Sequence, residues 1–199
     1  MFSERIQAVM DRVDQLRDQV DDHWQIPREE ALFLAQLVRI GRCVSICEIG
    51  TSYGFSTLHL AAAASEVGGH VHSIDQDPRK TAAATKNLEE AGLAELATLH
   101  QGDARQVLAS LQPERPLDLV FIDAAKAQCD EYLNAVWPKL APECLLLTDN
   151  TITHAQELAG FVGRLRSLPD FHSTEVPIGN GLELTVRRSR ARVKSLSNH

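Results

Sequence analysis

The chain has 199 residues, of which 44% are hydrophobic and 24% charged, and its formal net charge at pH 7 is −7. This length and composition fit one globular domain with a sizeable core. The acidic balance argues against a protein that coats nucleic acid, because phosphate binding needs a basic face. The first residues contain no apolar signal region, and no apolar run reaches membrane-spanning length, so we expect a cytoplasmic protein without a membrane partner.

The cysteine pattern gives no sign of a disulfide framework or a zinc site. The chain has four cysteines, with neither a CxxC pair nor the spacing of zinc ligands: Cys43, Cys47, Cys129 and Cys144. Three of them lie in or beside apolar runs, where thiols usually serve as small core residues. We therefore expect reduced, buried thiols.

The predicted elements begin with two helices. Residues 2–22 carry apolar side chains at three- and four-residue spacing, which predicts an amphipathic helix. Pro27 and the acids after it predict the start of a second helix that runs to about Ile40. Five strand-like runs follow, in the order CVSICEI, HVHSID, ATLHQ, LDLVFID and CLLLTD. The helix-like stretches between them are STLHLAAAASEV, PRKTAAATKNLEEAG, ARQVLASL and QCDEYLNAVWPKLA.

This alternation of strands and helices with short links predicts βαβ units, hence an α/β, doubly wound, Rossmann-like sheet that is mostly parallel. A helix over about 155–167 leads to FHSTEV and LELTVRR, which predict an antiparallel C-terminal hairpin. We expect a single domain over 1–188. The chain ends in RRSRARVKSLSNH, and because termini are usually poorly ordered we expect a flexible basic tail over 189–199.

The first strand ends at an acid and a turn with two glycines, Glu48, Gly50 and Gly54. In an open α/β sheet the ligand crevice lies outside the carboxyl ends of the strands. Dinucleotide enzymes use three glycines here to approach a pyrophosphate, which Glu48 would repel. S-adenosylmethionine has an ammonium and a sulfonium group and no phosphate, so Glu48 favours it over NAD. Ser52 and Ser56 would then bind its methionine carboxylate; a tight turn with a solvated Glu48 is the purely structural alternative.

Two later strand ends carry further candidate cofactor ligands. Asp75 ends the second strand, where an acid accepts hydrogen bonds from both ribose hydroxyls. The alternative role for this position, capping the next helix, fits Asp77 better. Asp103 follows the third strand, where the adenine ring would lie. It could accept a hydrogen bond from the exocyclic amine of adenine, and it could equally well cap the next helix.

The fourth and fifth strands end in hard oxygen donors. Asp123 ends LDLVFID, and Asp149 and Asn150 end CLLLTDN. These donors suit Mg²⁺, Mn²⁺ or Ca²⁺ rather than zinc, and adjacent strand ends lie about 5 Å apart, so one ion could be shared. Lys126 would lie in the same crevice and act as a general base toward a phenol. Taken singly, each of these residues also fits a turn, a cap or a solvated charge.

In these motifs the chain resembles the class I, metal-dependent small-molecule O-methyltransferases, which include the catechol and caffeoyl-coenzyme A enzymes. The resemblance covers about residues 26–188. Its segments, in order, are EIGTSYGFSTLHLA, HVHSIDQDP, QGDA, DLVFIDAAK, YLNAVWPKLAP, LLLTDN and GNGLELTVRR. It implies in-line transfer of a methyl group from S-adenosyl-L-methionine to a hydroxyl that a divalent metal binds, on a small catechol-like acceptor. It also implies a homodimer.

The resemblance and the strand-end argument together give one set of candidate site residues. The candidate cofactor-binding residues are Glu48, Gly50, Thr51, Ser52, Tyr53, Gly54, Ser56, Asp75, Gln76, Asp103, Ala104 and Asp123. The candidate metal ligands are Asp123, Asp149 and Asn150, and the candidate catalytic residues are Lys126 and Asp123.

The chain departs from the family pattern mainly on the acceptor side. The family often has an acid where this chain has Ala125, and it usually has an apolar loop after the D-N pair, where TITHAQELAG enters a helix almost at once. His154 would face the open metal position or simply start that helix. The candidates for stacking on an aromatic acceptor are Tyr53, Trp24 and Trp137, although Trp137 lies on a helix and fits the core better.

Two other function classes stay open. One is an enzyme of the same fold with a non-catechol acceptor, such as protein or nucleic acid. Base-methylating relatives usually carry D/N-P-P-Y/F/W after the fourth strand, and FIDAAK does not match that pattern. The other is a module that binds S-adenosylmethionine without turnover, which the missing acceptor loop would permit.

Overall fold

The computed structural model describes residues 2–19, 21–22 and 24–187, so the predicted basic tail at 189–199 lies outside the described residues. The α-helices are α1 (Glu4–Gln15), α2 (Arg28–Gly41), α3 (Phe55–Val67), α4 (Pro78–Ala91), α5 (Ala104–Ser110), α6 (Cys129–Val136) and α7 (Ala155–Ser167). The strands are β1 (Ser45–Ile49), β2 (His70–Asp75), β3 (Ala97–Gln101), β4 (Leu117–Ile122), β5 (Leu140–Asp149), β6 (Phe171–Val176) and β7 (Leu182–Arg187).

The strands form one seven-stranded sheet in the order β3-β2-β1-β4-β5-β7-β6. Strands β1 to β5 pair in parallel, whereas β7 runs antiparallel to both β5 and β6. This is the predicted doubly wound sheet with a C-terminal hairpin. The central strand β1 is buried along its whole length, as expected for a parallel strand covered on both faces.

Helices cover the sheet on both faces. One core cluster joins apolar side chains of α1 to α4 to one face, and a second joins those of α5 to α7 to the other. The α3 helix has ten buried residues in its thirteen, because it lies against the sheet and under α2. The four cysteines are free and buried, as predicted. In the part of the chain that the structure describes, no helix combines the length and apolar character needed to cross a membrane; the cytoplasmic location stays a prediction.

Two sequence predictions need correction. The first helix was predicted over 2–22 but ends at Gln15, and a 3₁₀ turn follows. The guanidinium of Arg17 donates to the carbonyls of Gln25 at 3.3 Å and Ile26 at 2.7 Å, which holds the chain against the start of α2. Trp137 does not belong to the core: it is 37% exposed and stacks on Phe171 at 5.2 Å between ring centroids.

The glycine turn after β1 lies directly against the end of β4. Gly50 has a φ of +110°, and a β-carbon there would lie 1.9 Å from the carbonyl oxygen of Asp123. The Asp123 N–H donates to Ile49 at 2.8 Å, and the Gly50 N–H donates to Ile74 at 2.9 Å. The turn is therefore held between β2 and β4, with no room for a side chain at Gly50.

Glu48 lies on an interior strand of the sheet, and its side chain points into the core. Its side chain is fully buried, and its Oε2 accepts hydrogen bonds from the hydroxyls of Thr57 and Ser73. Its Oε1 has no hydrogen-bond partner. Burial raises the pKa of Glu48 to about 7, against the opposing effect of nearby hydroxyl groups.

We expect Gly50→Ala to lower the free energy of unfolding by more than about 2 kcal/mol, because it adds a backbone clash to the strain of a positive φ. Gly68→Ala is the matched control, since Gly68 has a φ of +74° but no atom within 4 Å of an added β-carbon. In this control the free energy of unfolding should fall by only about 1 kcal/mol. Urea denaturation of both variants measures the difference, and equal losses would contradict the close approach at Gly50.

We expect Glu48→Gln to change how stability depends on pH. A carboxyl group whose folded pKa lies near 7, above its unfolded value, contributes stability that is present at acidic pH and lost as the pH rises through 7. Between pH 5 and 8 the free energy of unfolding of the wild type should therefore fall by about 2 kcal/mol more than that of the variant. Urea denaturation of both proteins across this pH range measures the difference. Parallel curves of unfolding free energy against pH would show that Glu48 titrates normally.

Candidate active site

A cleft of about 750 Å³ lies at the carboxyl ends of the parallel strands. It brings together most of the residues predicted from the strand ends. The predicted residues in its lining are Gly50, Ser52, Asp75, Gln76, Asp103, Ala104, Asp123, Lys126, Asp149 and Asn150. Groups that are far apart in the sequence thus face one space, as the parallel sheet requires.

The remaining predicted residues lie beside the cleft but not in its lining: Glu48, Thr51, Tyr53, Gly54 and Ser56. Their contacts hold the glycine turn in place. The Thr51 hydroxyl lies 2.6 Å from that of Ser73, and the Tyr53 hydroxyl donates to Asp22 at 2.9 Å. Gly54 and Ser56 lie at the start of α3.

Asp75 joins the ends of β1 and β2. Its Oδ2 accepts from the Ser52 N–H at 2.7 Å, and its Oδ1 accepts from the Asp77 N–H at 2.9 Å. Asp77 caps α4 by accepting from the Arg79 N–H at 2.8 Å, as predicted. The carboxylate of Asp75 is thus fixed at the cleft by two backbone groups.

Asp103 has the capping role that the sequence offered, and its contact with the cofactor stays a prediction. It caps α5 by accepting from the Arg105 N–H at 2.9 Å, and it also lines the cleft. Hydrogen bonds from the Arg105 side chain and backbone lower the pKa of Asp103 to about 2. It is therefore a permanent negative charge at this end of the cleft.

Lys126 and Asp123 form an ion pair in the cleft wall. The Lys126 Nζ lies 3.0 Å from Asp123 Oδ1, and the two side chains are 11% and 17% exposed. Lys126 starts a short 3₁₀ turn that precedes α6. The pair places an amine beside a carboxylate at the end of β4.

Asp149 and Asn150 complete the predicted metal-ligand set. Asp149 is the last residue of β5, is 1% exposed, and accepts from the Asn150 N–H at 2.6 Å. Asn150 has a φ of +70°, and its Nδ2 donates to Thr153 Oγ1 at 3.1 Å, so its Oδ1 can act as a ligand. Burial and the negative charge of Asp123 raise the pKa of Asp149.

The set contains only two carboxylates. In the part of the chain that the structure describes, no group of three or more histidine, cysteine, aspartate or glutamate side chains is arranged to hold a metal ion. The donor chemistry of two carboxylates and an amide nevertheless suits a hard divalent cation.

Glu30 is a buried acid that the sequence analysis missed. It lies in the first turn of α2, is fully buried, and its Oε2 accepts from the Asn180 N–H at 3.3 Å. Burial, followed by the charge of Asp149, raises the pKa of Glu30 far above its usual range. In the sequence it looks like an ordinary acid at a helix start.

The mouth of the cleft is built from segments that have no motif. Trp24, Gln25 and Lys80 line it, and the Lys80 Nζ lies 5.3 Å from the centre of the Trp24 ring. Trp24 is 79% exposed, so an aromatic face is open at the entrance. Trp24 is one of the aromatic residues that the sequence offered as stacking candidates, whereas no sequence pattern indicated Gln25 or Lys80.

The cleft lining beyond Asn150 is polar. The Asn150 carbonyl accepts from the His154 N–H at 2.8 Å, so the chain makes one tight turn and enters α7 without an intervening loop. His154 is exposed at this helix start and also lines the cleft, together with Glu157 and Asn180. The structure therefore has a direct entry into α7 after Asn150, as the sequence indicated.

Comparison with known proteins identifies the family. A family model described as a methyltransferase domain matches residues 47–151, which is more than half of the chain. A catechol O-methyltransferase of Niastella koreensis is 33% identical over 128 residues, which is 63% of this chain and 58% of the relative. A catechol O-methyltransferase of Mycobacterium tuberculosis is 32% identical over 136 residues, which is 66% of this chain and 61% of the relative. The chain thus spans less than two thirds of the length of these relatives.

Solved structures agree with this fold. A methyltransferase of Geobacter sulfurreducens superposes with a TM-score of 0.76 and 25% identity, over 93% of this chain and 90% of that protein. An O-methyltransferase of Bacillus cereus, solved in complex with S-adenosylhomocysteine, has a TM-score of 0.81, 24% identity and 91% coverage of both chains, a likeness of fold alone. The chain therefore belongs to the methyltransferase-domain family, in the class I O-methyltransferase branch that its relatives represent.

Proposed function

We propose that this protein is an S-adenosylmethionine-dependent O-methyltransferase that methylates a hydroxyl group of a small, catechol-like acceptor. The observation that carries the proposal is the convergence of three strand ends on one cleft. The glycine turn after β1, the Asp123–Lys126 pair after β4 and the Asp149–Asn150 pair after β5 all line it. The curated relatives named as catechol O-methyltransferases support the acceptor class.

The residues divide the cleft into a cofactor side and an acceptor side. On the cofactor side, Asp75 is placed to accept from the ribose hydroxyls, and Asp103 and Ala104 lie where the adenine would bind. On the acceptor side, Asp123, Asp149 and Asn150 would hold a divalent cation, Mg²⁺ first and Mn²⁺ or Ca²⁺ as alternatives. Two nearby carboxylates, one of them buried, concentrate negative charge that such a cation would neutralise.

When bound, the cofactor supplies an activated methyl group and the cation lowers the pKa of the acceptor hydroxyl. Lys126 would accept the hydroxyl proton, and Asp123 would hold its Nζ, which lies 3.0 Å from Asp123 Oδ1. Asp75 fixes the Ser52 backbone and thereby the turn under the cofactor. The chain contributes positioning and electrostatics rather than a covalent intermediate.

A non-catechol acceptor is the second candidate. The tight turn between Asn150 and His154 leaves the acceptor wall open, so the cleft would accept larger molecules at that end. We further propose a homodimer, because relatives commonly dimerise; Leu32 and Ile40, which are 44% and 79% exposed on α2, support a surface that a second copy would cover.

We expect Asp149→Ala to reduce metal-dependent methyl transfer to a simple catechol by about a hundredfold or more, because a cation ligand is lost. Affinity for S-adenosylhomocysteine should stay within about threefold. Product formation is measured by chromatography with added Mg²⁺ and with chelator. Transfer by the wild type in excess chelator would contradict the metal part of the proposal.

We expect Asp75→Ala to weaken cofactor binding by about 1.5–3 kcal/mol, as typical of lost hydrogen bonds to a charged group. Asp75→Asn keeps one acceptor oxygen, so its cofactor affinity should fall by less. Asp77→Asn is the control, because Asp77 caps α4 and does not line the cleft. Calorimetric titration with S-adenosylhomocysteine measures all three, and unchanged affinity in Asp75→Ala would remove the ribose assignment.

A further inference from the structure

Three histidines share one face of the sheet where β2 pairs with the edge strand β3. His70 and His72 are two residues apart on β2, and His100 lies on β3, where the register pairs His72 with Thr98. Side chains two residues apart on a strand point to the same face, and so do those at paired positions. The rings are accordingly neighbours: the His72 ring centre lies 5.2 Å from that of His70 and 5.4 Å from that of His100.

The helix on this face is too short to bury the three rings. Ile74, two residues after His72, packs in the same core cluster as Leu108 of α5. The seven residues of α5 span only about 10 Å, whereas the six residues of β2 span about 20 Å. The three histidines are therefore only half-buried, and solvent ions have access to their ring nitrogens.

His72 and His100 bring two ring nitrogens together. Nδ1 of His72 lies 3.2 Å from Nε2 of His100. In a tetrahedral zinc site, where Zn–N bonds are about 2.0–2.1 Å long, two ligand nitrogens lie about 3.3 Å apart. The pair thus needs only small ring rotations to receive one ion. His70 has a different partner, since its Nε2 lies 2.8 Å from Thr98 Oγ1.

The environment keeps this pair of imidazoles neutral at pH 7. Burial lowers the pKa of His72 to about 4, and the charges of His70 and His100 act in the same direction, against the opposing charge of Glu114. Burial, followed by the charge of His70, also lowers the pKa of His100. Neutral imidazole is the form that binds metal ions, so binding at pH 7 does not compete with protonation of a charged ring.

We propose that His72 and His100 form a binding site for a late first-row divalent metal ion such as Zn²⁺ or Cu²⁺. Imidazole nitrogens suit these ions, whereas Mg²⁺ and Ca²⁺ take oxygen ligands. Water fills the remaining positions, in keeping with the lack of a three-ligand group among the described residues. The ion joins β2 to β3 and so braces the two strands whose ends lead to Asp75 and Asp103. Neither histidine lines the cleft, so this site is independent of the proposed function.

Calorimetric titration of the full, untagged chain with ZnCl₂ in excess Mg²⁺ tests the assignment. Mg²⁺ occupies sites built from oxygen and leaves imidazole nitrogens free. We expect the wild type to bind one Zn²⁺, and His72→Gln and His100→Gln each to weaken this binding by about tenfold or more. His172→Gln changes an exposed histidine of β6 and should keep the affinity within about twofold. Asp149→Ala, which removes a proposed cation ligand in the cleft, should bind Zn²⁺ as the wild type does.

Two further measurements guard against misfolded variants. An ion that binds only the folded chain stabilises it. Zn²⁺ should therefore raise the urea midpoint of the wild type and of His172→Gln, but not that of His72→Gln. Cu²⁺ bound to the wild type should show coupling to two imidazole nitrogens in its electron paramagnetic resonance spectrum, which needs no variant.

Three outcomes would overturn the inference. Wild-type protein that binds no Zn²⁺ in excess Mg²⁺ would mean that the two rings only pack across the strands. An equal loss of affinity in His70→Gln would mean that the histidine surface collects cations without a defined pair of ligands. Binding that is lost in Asp149→Ala but kept in His72→Gln would place the ion in the cleft, and would support the cation site of the proposed function instead.

Discussion

The contact between the turn after β1 and the backbone after β4 determines the geometry of the whole cleft. At Gly50 a side chain would meet the Asp123 carbonyl at 1.9 Å, and the Asp123 N–H bonds to Ile49 at 2.8 Å. The cofactor turn and the Asp123–Lys126 pair are therefore held at a fixed separation by main-chain atoms. Transfer between two bound molecules depends steeply on such separation, so this contact carries the positioning on which the proposed chemistry relies.

Acids that are costly to bury surround this contact. Burial raises the pKa of Glu48, and burial with neighbouring charge does the same for Asp149 and Glu30. A core selected for stability alone would not keep three such groups, because burial opposes the ionised form of each. In the proposed function, a cationic cofactor and a divalent ion would both offset part of this cost.

Much of this arrangement could be predicted from the sequence, because strand ends in a parallel sheet meet at one edge. Asp75, Asp123 and Asp149 line the cleft for this reason. The side chains at Thr51 and Tyr53 instead brace the turn, since spacing along a loop does not specify which way a side chain faces.

The residues that no sequence pattern indicated owe their positions to tertiary packing rather than to the ends of strands. Gln25 and Glu30 precede the sheet in the chain, and tertiary packing places Gln25 in the cleft wall and Glu30 against Asn180. An ion-pair cluster around Asp14 orients the first, and the absence of a side chain at Gly179 makes room for the second. Neither contact produces a periodic pattern or a motif in the sequence, so these two residues could not be predicted from the sequence.

The tight turn from Asn150 to His154 has a consequence for how this protein can diverge. With no inserted loop, the acceptor wall of the proposed function would come from three short segments, around Trp24, Glu157 and Asn180, which line the cleft. None of these segments contributes to the parallel strands that set the cofactor turn. Substitutions in them would alter the choice of acceptor while leaving the methyl-donor half intact, so substrate range can drift over generations without loss of the underlying reaction.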